Sequence, residues 1–169
     1  INLTNLTRSW KPGIQRDGAY AQTHPDAFDL HYATRWPPLT YLVGSIPCAL
    51  FGPLSIWTTQ LTNAFFSALL ALGVVLLGRY LMSLTAGFWA AALVLLTPPA
   101  VASTWYFNLD LPLAAVTIMG VYLLMRCQGF TSWAPTLAFA AWSVLGLYTK
   151  PTYGMYLAVP CLVALVQGL

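Results

Sequence analysis

The stretch LSIWTTQLTNAFFSALLALGVVLLGRY, residues Leu54–Tyr80, decides the fold class of this sequence. It runs for 27 residues with a single charge, Arg79, close to its end. A helix that crosses a bilayer needs about 20 mostly apolar residues, because lipid offers no hydrogen-bond partner to an open backbone. The stretch meets this requirement, so we predict a membrane-spanning helix that ends near Gly78-Arg79.

The charges of the 169-residue chain are distributed unevenly around this stretch. Seven of the eleven charged residues, and both histidines, precede Trp36. From Pro37 onward the charged residues are Arg79, Asp110, Arg126 and Lys150. Four charges cannot give this length of chain a polar surface, and 59% hydrophobic residues with a mean hydropathy of +0.70 do not suit disorder. We therefore expect an integral membrane protein.

Further apolar segments flank the first one, and together they predict an all-α fold. We expect an extracytoplasmic loop over residues 1–36 and a transmembrane helical bundle of five to six hydrophobic segments over residues 37–169. The segments are Leu39–Phe51, Leu54–Tyr80, Thr85–Thr97, Leu111–Met125, Trp133–Tyr148 and Tyr153–Leu165. The segment Leu39–Phe51 is short and contains Pro47, which favours a half-length or re-entrant helix. Pro160 is expected to kink the segment Tyr153–Leu165.

The four charges of the bundle predict its orientation. If the helices alternate in direction, Arg79 and Arg126 share one side of the membrane, and Asp110 and Lys150 share the other. The positive-inside rule places the two arginines in the cytoplasm. We expect a multi-pass protein, in the plasma membrane of a bacterium or archaeon or in the endoplasmic reticulum of a eukaryote. Its scattered basic residues indicate no nucleic-acid partner.

Asp110 and Lys150 each allow a structural and a functional interpretation. Asp110 can cap the helix that begins beside it, or it can line a substrate site, as ionisable residues at membrane depth often do. Lys150 can extend its ammonium to the membrane interface, or it can bind a lipid phosphate.

Four motifs occur in a characteristic order along the chain. They are Asp17-Gly18-Ala19-Tyr20, Trp36-Pro37-Pro38-Leu39-Thr40-Tyr41, Asn108-Leu109-Asp110-Leu111-Pro112-Leu113 and Tyr148-Thr149-Lys150-Pro151. In this order the sequence resembles the GT-C membrane glycosyltransferases, in particular the protein O-mannosyltransferase and aminoarabinose-transferase superfamily. The resemblance covers most of the chain. It implies the N-terminal part of a GT-C membrane module, preceded by a further transmembrane helix.

The sequence also departs from the family pattern at three of these motifs. Gly18 stands where the family usually has a second acid, and Arg35-Trp36 replaces a frequent histidine before the two prolines. Pro151 replaces the glycine that usually follows the lysine. Because the first motif has only one acid, the aspartate that corresponds to the family's is Asp17, Asp26 or Asp29.

The resemblance implies that a sugar is transferred from a polyprenyl-phosphate donor to a lipid, polysaccharide or protein acceptor outside the cytoplasm. By motif position Asp17 is the candidate catalytic base, with Asp29 second, and Asp110 is a further acid in the cavity. Lys150 and Arg35 are the candidate phosphate-binding residues. No cofactor is expected, although a divalent cation beside the aspartates stays open.

Two other classes of protein remain open. A fragment of a transporter or channel could use the outward Asp110 and Lys150 to bind a solute. A non-catalytic membrane partner could use the polar N-terminal segment only for docking.

Overall fold

The computed structural model describes residues 38–51, 56–105 and 109–168. The loop predicted over residues 1–36 lies outside the described residues, and with it lie Asp17, Asp26, Asp29 and Arg35. The described residues form α-helices and no strands, which confirms the all-α prediction. The helices are α1 (Leu39–Phe51), α2 (Ile56–Leu81), α3 (Leu84–Leu95), α4 (Pro98–Ser103), α5 (Asp110–Arg126), α6 (Trp133–Thr149) and α7 (Tyr153–Gly168).

Within the described residues, α2 is the one helix that is long and apolar enough to cross a membrane. It has 26 residues and corresponds to the stretch from which the sequence analysis starts. The helices α1, α3 and the part of α7 over Tyr153–Val166 are apolar but shorter. Pro47 does not end α1, and Pro160 lies within α7.

The short helix α4 is the element that the sequence pattern missed. We expected Pro98-Pro99 only to stop the preceding helix. The same prolines also occupy the first positions of α4, where a fixed φ suits a helix and the missing N–H has no intrahelical partner to lose. A helix stop and a helix start therefore coincide at this point.

The helix α5 lies at the centre of the bundle and packs against α2, α6 and α7. It runs parallel to α2, since the Tyr80 hydroxyl near the end of α2 donates to the Met125 carbonyl near the end of α5, at 3.1 Å. It runs antiparallel to α6, whose Trp142 Nε1–H donates to the Val116 carbonyl at 2.9 Å. As a result, the start of α5 and the end of α6 lie at the same end of the bundle.

Two glycines allow α2 and α3 to cross closely. A Cβ added to Gly78 would meet the Cα of Gly87, and one added to Gly87 would lie 2.6 Å from the Val75 carbonyl oxygen. Small residues that let backbones touch are typical of helix pairs in membranes. The crossing lies beside the turn at Ser83, whose hydroxyl oxygen accepts the N–H of Ala86 and caps α3.

Candidate functional site

An ion pair joins two of the predicted site residues at one end of the bundle. Lys150 Nζ lies 2.8 Å from Asp110 Oδ1. Asp110 is the first residue of α5, and Lys150 directly follows α6. Because these two helices are antiparallel neighbours, residues 40 positions apart meet. The lysine side chain is 29% exposed and the aspartate side chain 69% exposed, so both remain open to a ligand.

The structure places Asp110 one residue inside the position that the capping interpretation requires. Leu109 occupies the N-cap position of α5 and makes no side-chain capping hydrogen bond, and Asp110 lies in the first turn. A carboxylate there still interacts favourably with the positive end of the helix dipole. The Lys150 ammonium contacts the carboxylate of Asp110 at the start of the neighbouring helix α5.

The two arginines lie at the opposite end of the bundle from this pair. Arg79 belongs to the last turn of α2 and Arg126 to the last turn of α5. The hydrogen bond between Tyr80 and Met125 joins these two helix ends. Arg126 Nη1 donates to the hydroxyl of Tyr122 at 3.1 Å, one turn earlier in its own helix. The charges of the bundle are thus separated between its two ends.

The backbone of Lys150 is held from both sides. Its N–H donates to the Gly146 carbonyl at 3.1 Å, and its carbonyl accepts the N–H of Tyr153 at 2.9 Å. Lys150 itself is extended, with φ −163° and ψ 132°. That conformation is the one favoured before a proline, and Pro151 follows. The Lys-Pro pair therefore ends α6 and turns the chain into α7.

Asn63 is a residue of this region that the sequence reasoning missed. It is 1% exposed, and its Nδ2 donates to the carbonyls of Ser103 at 3.0 Å and Thr104 at 3.2 Å. These carbonyls end α4, a few residues before Asp110. The side-chain amide therefore joins the first third of α2 to the end of α4. An amide within an apolar span was the available signal, because such groups usually bind another helix.

Three buried hydroxyls of the bundle, those of Thr62, Thr149 and Ser45, are bonded within their own helices. Thr62 donates to the Thr58 carbonyl at 2.7 Å, and Thr149 donates to the Leu145 carbonyl at 3.0 Å. Ser45 does the same toward Leu42 at 2.7 Å. Such bonds satisfy the hydroxyl without a second helix or a ligand. These residues therefore contribute to packing more directly than to recognition.

The described ranges contain no group of three His, Cys, Asp or Glu side chains placed to hold a metal ion. Cys48, Cys127 and Cys161 form no disulfide within the described residues. Cys127 directly follows α5 and is fully buried, and this burial raises the pKa of its thiol against a smaller lowering by Thr136. The thiol also donates to the Leu123 carbonyl at 3.2 Å. Cys127 therefore stays protonated at neutral pH and is a poor nucleophile.

No family model, curated protein or solved structure matches this chain.

Proposed function

We propose that this chain is a multi-pass membrane glycosyltransferase of the GT-C type, which transfers a sugar from a polyprenyl-phosphate donor to an acceptor on the extracytoplasmic side. The observation that carries the proposal is the Asp110–Lys150 ion pair. The pair joins the aspartate of one motif of the resemblance to the lysine of another. A paired acid and base at one end of an apolar bundle suit a reaction that moves a proton and releases an anion.

The exposed surface of the helices supports a multi-pass arrangement. Large apolar side chains are exposed on several helices, among them Ile46 and Leu50 on α1, Trp89 on α3, and Leu137 on α6. A soluble protein rarely exposes apolar patches of this extent, whereas lipid solvates them. The helices α5 and α6 have 17 residues each, and a helix of that length is about 25 Å long. This length approaches the roughly 30 Å of the hydrocarbon core.

The separation of charges supports an orientation. Arg79 and Arg126 at one end favour the cytoplasm, and the end that carries Asp110 and Lys150 then faces outward. The predicted loop over residues 1–36 would face the same compartment. Asp17, Asp29 and Arg35 could then approach the ion pair from outside.

Lys150 meets the electrostatic need of the leaving group. In the reaction the acceptor hydroxyl oxygen attacks the anomeric carbon, and the bond between that carbon and the phosphate oxygen breaks. The polyprenyl phosphate leaves with the bonding electron pair, so negative charge develops on the phosphate. An ammonium has three N–H donors and can bond to Asp110 and to a phosphate oxygen together. Preorganised charge of this kind stabilises a developing anion.

The aspartates are assigned two functions in the proposed reaction, removal of the acceptor proton and pairing with Lys150. The acceptor hydroxyl must lose its proton, and a carboxylate within hydrogen-bond reach can take it. By motif position this base is Asp17, with Asp29 second, while Asp110 pairs with Lys150 and is the further acid of the proposed site. Arg35 is the second candidate for phosphate binding. The reaction as written balances without a metal or a cofactor.

The direct test is sugar transfer in membranes that contain the protein. We expect membranes with the wild-type protein to transfer radiolabelled sugar from a polyprenyl-phosphate donor to an endogenous acceptor, with inhibition by added polyprenyl phosphate. Asp17→Asn and Asp29→Asn compared side by side identify the base. Absence of transfer with every polyprenyl donor refutes the proposal. Solute uptake without transfer would indicate the transporter class.

A further inference from the structure

Tyr153, the first residue of α7, lies in a slot between α5 and α6 that has a glycine on each side. Its side chain is 1% exposed. A Cβ added to Gly146 of α6 would lie 2.5 Å from both Cε1 and Cε2 of the ring. A Cβ added to Gly120 of α5 would lie 2.5 Å from the phenolic oxygen. The ring therefore fits only because neither helix carries a side chain at these positions.

Two residues of this slot, Gly146 and Tyr153, also bond to the backbone of Lys150. Gly146, which contacts the Tyr153 ring, accepts the N–H of Lys150. Tyr153 donates its own N–H to the Lys150 carbonyl. The two residues that hold Lys150 by its backbone are thus in contact with each other through the aromatic ring. A shift of the ring out of the slot would change the α6–α7 turn and move Lys150 away from Asp110.

We infer that Tyr153 is the positioning residue of Lys150, and that its ring against Gly146 directs the ammonium toward Asp110. The phenolic hydroxyl lies near the Ser143 hydroxyl of α6 but forms no hydrogen bond of good geometry within the described residues, so we expect it to be dispensable for this role. The relevance to sugar transfer rests on the proposed function, whereas the placement of Lys150 does not. A test should therefore measure the ion pair without a donor substrate.

The lysine content of the chain makes such a test practical. The chain contains two lysines, Lys11 and Lys150. In a Lys11→Arg background, residues 1–169 retain Lys150 as their one lysine. After reductive methylation with ¹³C-formaldehyde, the NMR signal that is lost in Lys150→Gln therefore belongs to Lys150. Asp110→Asn defines the signal of Lys150 without its partner. We expect Tyr153→Phe to keep the wild-type signal, and Tyr153→Leu to move it to the position seen with Asp110→Asn.

A second signal distinguishes positioning from general packing. The Trp89 indole N–H of α3 is 70% exposed and lies outside the apolar cluster that contains Tyr153, so it reports on the bundle away from α6 and α7. We expect this indole signal to stay unchanged in Tyr153→Leu. The inference is overturned if Tyr153→Leu leaves the Lys150 signal in place or shifts the indole as well. It is also overturned if Tyr153→Phe acts like Tyr153→Leu, or if Asp110→Asn moves nothing. A failed transfer assay would change none of these signals.

Discussion

Replacement of Gly120 by alanine tests the packing that supports the ion pair. The added methyl group would lie 2.5 Å from the phenolic oxygen of Tyr153, so the ring or α5 must move. Overpacking of this kind costs about 1–3 kcal/mol. Alanine in place of glycine in a helix returns about 1 kcal/mol. We therefore expect Gly120→Ala to lower the free energy of unfolding by up to about 2 kcal/mol.

Removal of the phenolic oxygen should create room for the same methyl group. The nearest remaining atoms would be Leu157 Cδ1 at 3.3 Å and the ring Cζ at 3.4 Å, which is close to ordinary contact. Tyr153→Phe should therefore rescue Gly120→Ala. Alone it should cost about 1 kcal/mol or less, because the buried hydroxyl lies near that of Ser143 without a hydrogen bond of good geometry. Gly146→Ala is the matched control. Its methyl group meets ring carbons, so Tyr153→Phe should not rescue it.

Thermal unfolding of the purified protein in detergent, followed by circular dichroism, measures these effects. In a chain of this size 1 kcal/mol corresponds to about 2–4 °C in the unfolding midpoint. The double-mutant cycle of Gly120→Ala with Tyr153→Phe should show a stabilising coupling. If Gly120→Ala lowers the midpoint equally with Tyr153 and with Phe in its place, the phenolic oxygen does not face Gly120. Rescue of Gly146→Ala by Tyr153→Phe would equally contradict the position of the Tyr153 ring between the two glycines.

Three further predictions concern other parts of the bundle. Asn63→Leu should lower the free energy of unfolding by about 1–3 kcal/mol, because the two hydrogen bonds of the buried Asn63 amide, each worth about 0.5–1.5 kcal/mol, are lost. An unchanged unfolding midpoint would contradict this. Gly87→Ala should lower the midpoint, since its methyl group would lie 2.6 Å from a carbonyl oxygen of α2. Gly154→Ala should leave the midpoint unchanged, because the nearest atom to its methyl group lies at 3.7 Å. Equal midpoints for Gly87→Ala and Gly154→Ala would count against the close crossing of α2 and α3. A cysteine in place of Met82, whose side chain is 82% exposed, should react with an impermeant maleimide only in permeabilised cells, and a cysteine in place of the exposed Pro151 should react in intact cells. Labelling of both from one side would contradict the proposed orientation.

The hydrophobic pattern was enough to predict most of the helices. Leu39–Phe51 was predicted with the bounds that the structure has, and the other apolar segments deviate by a few residues at their ends. Charged residues mark several of these ends, at Arg79, Asp110 and Arg126, whereas Pro47 and Pro160 lie inside helices and mark none. The six residues of α4 were missed because Pro98-Pro99 was interpreted only as a stop signal.

The candidate site was only partly accessible from the sequence. Alternating helices predict that Asp110 and Lys150 share one end, but their contact depends on which helices are neighbours and how closely they pack. The slot for Tyr153 depends on Gly120 and Gly146, which lie in different helices, and no sequence pattern connects them. Asn63 was detectable as a polar residue in an apolar span, yet its partners are backbone carbonyls, which every residue carries.

The rate of sugar transfer by Asp110→Asn and Lys150→Gln tests the central claim most directly. Both variants would be compared with the wild-type protein and with Arg126→Gln, which alters a charge at the opposite end of the bundle. We expect Lys150→Gln to lower the rate by about 100-fold or more, since preorganised charge is usually worth that much, and Asp110→Asn to lower it as well. Arg126→Gln should transfer at the wild-type rate. Wild-type rates for both Asp110→Asn and Lys150→Gln would contradict the assignment of the ion pair to the transfer site.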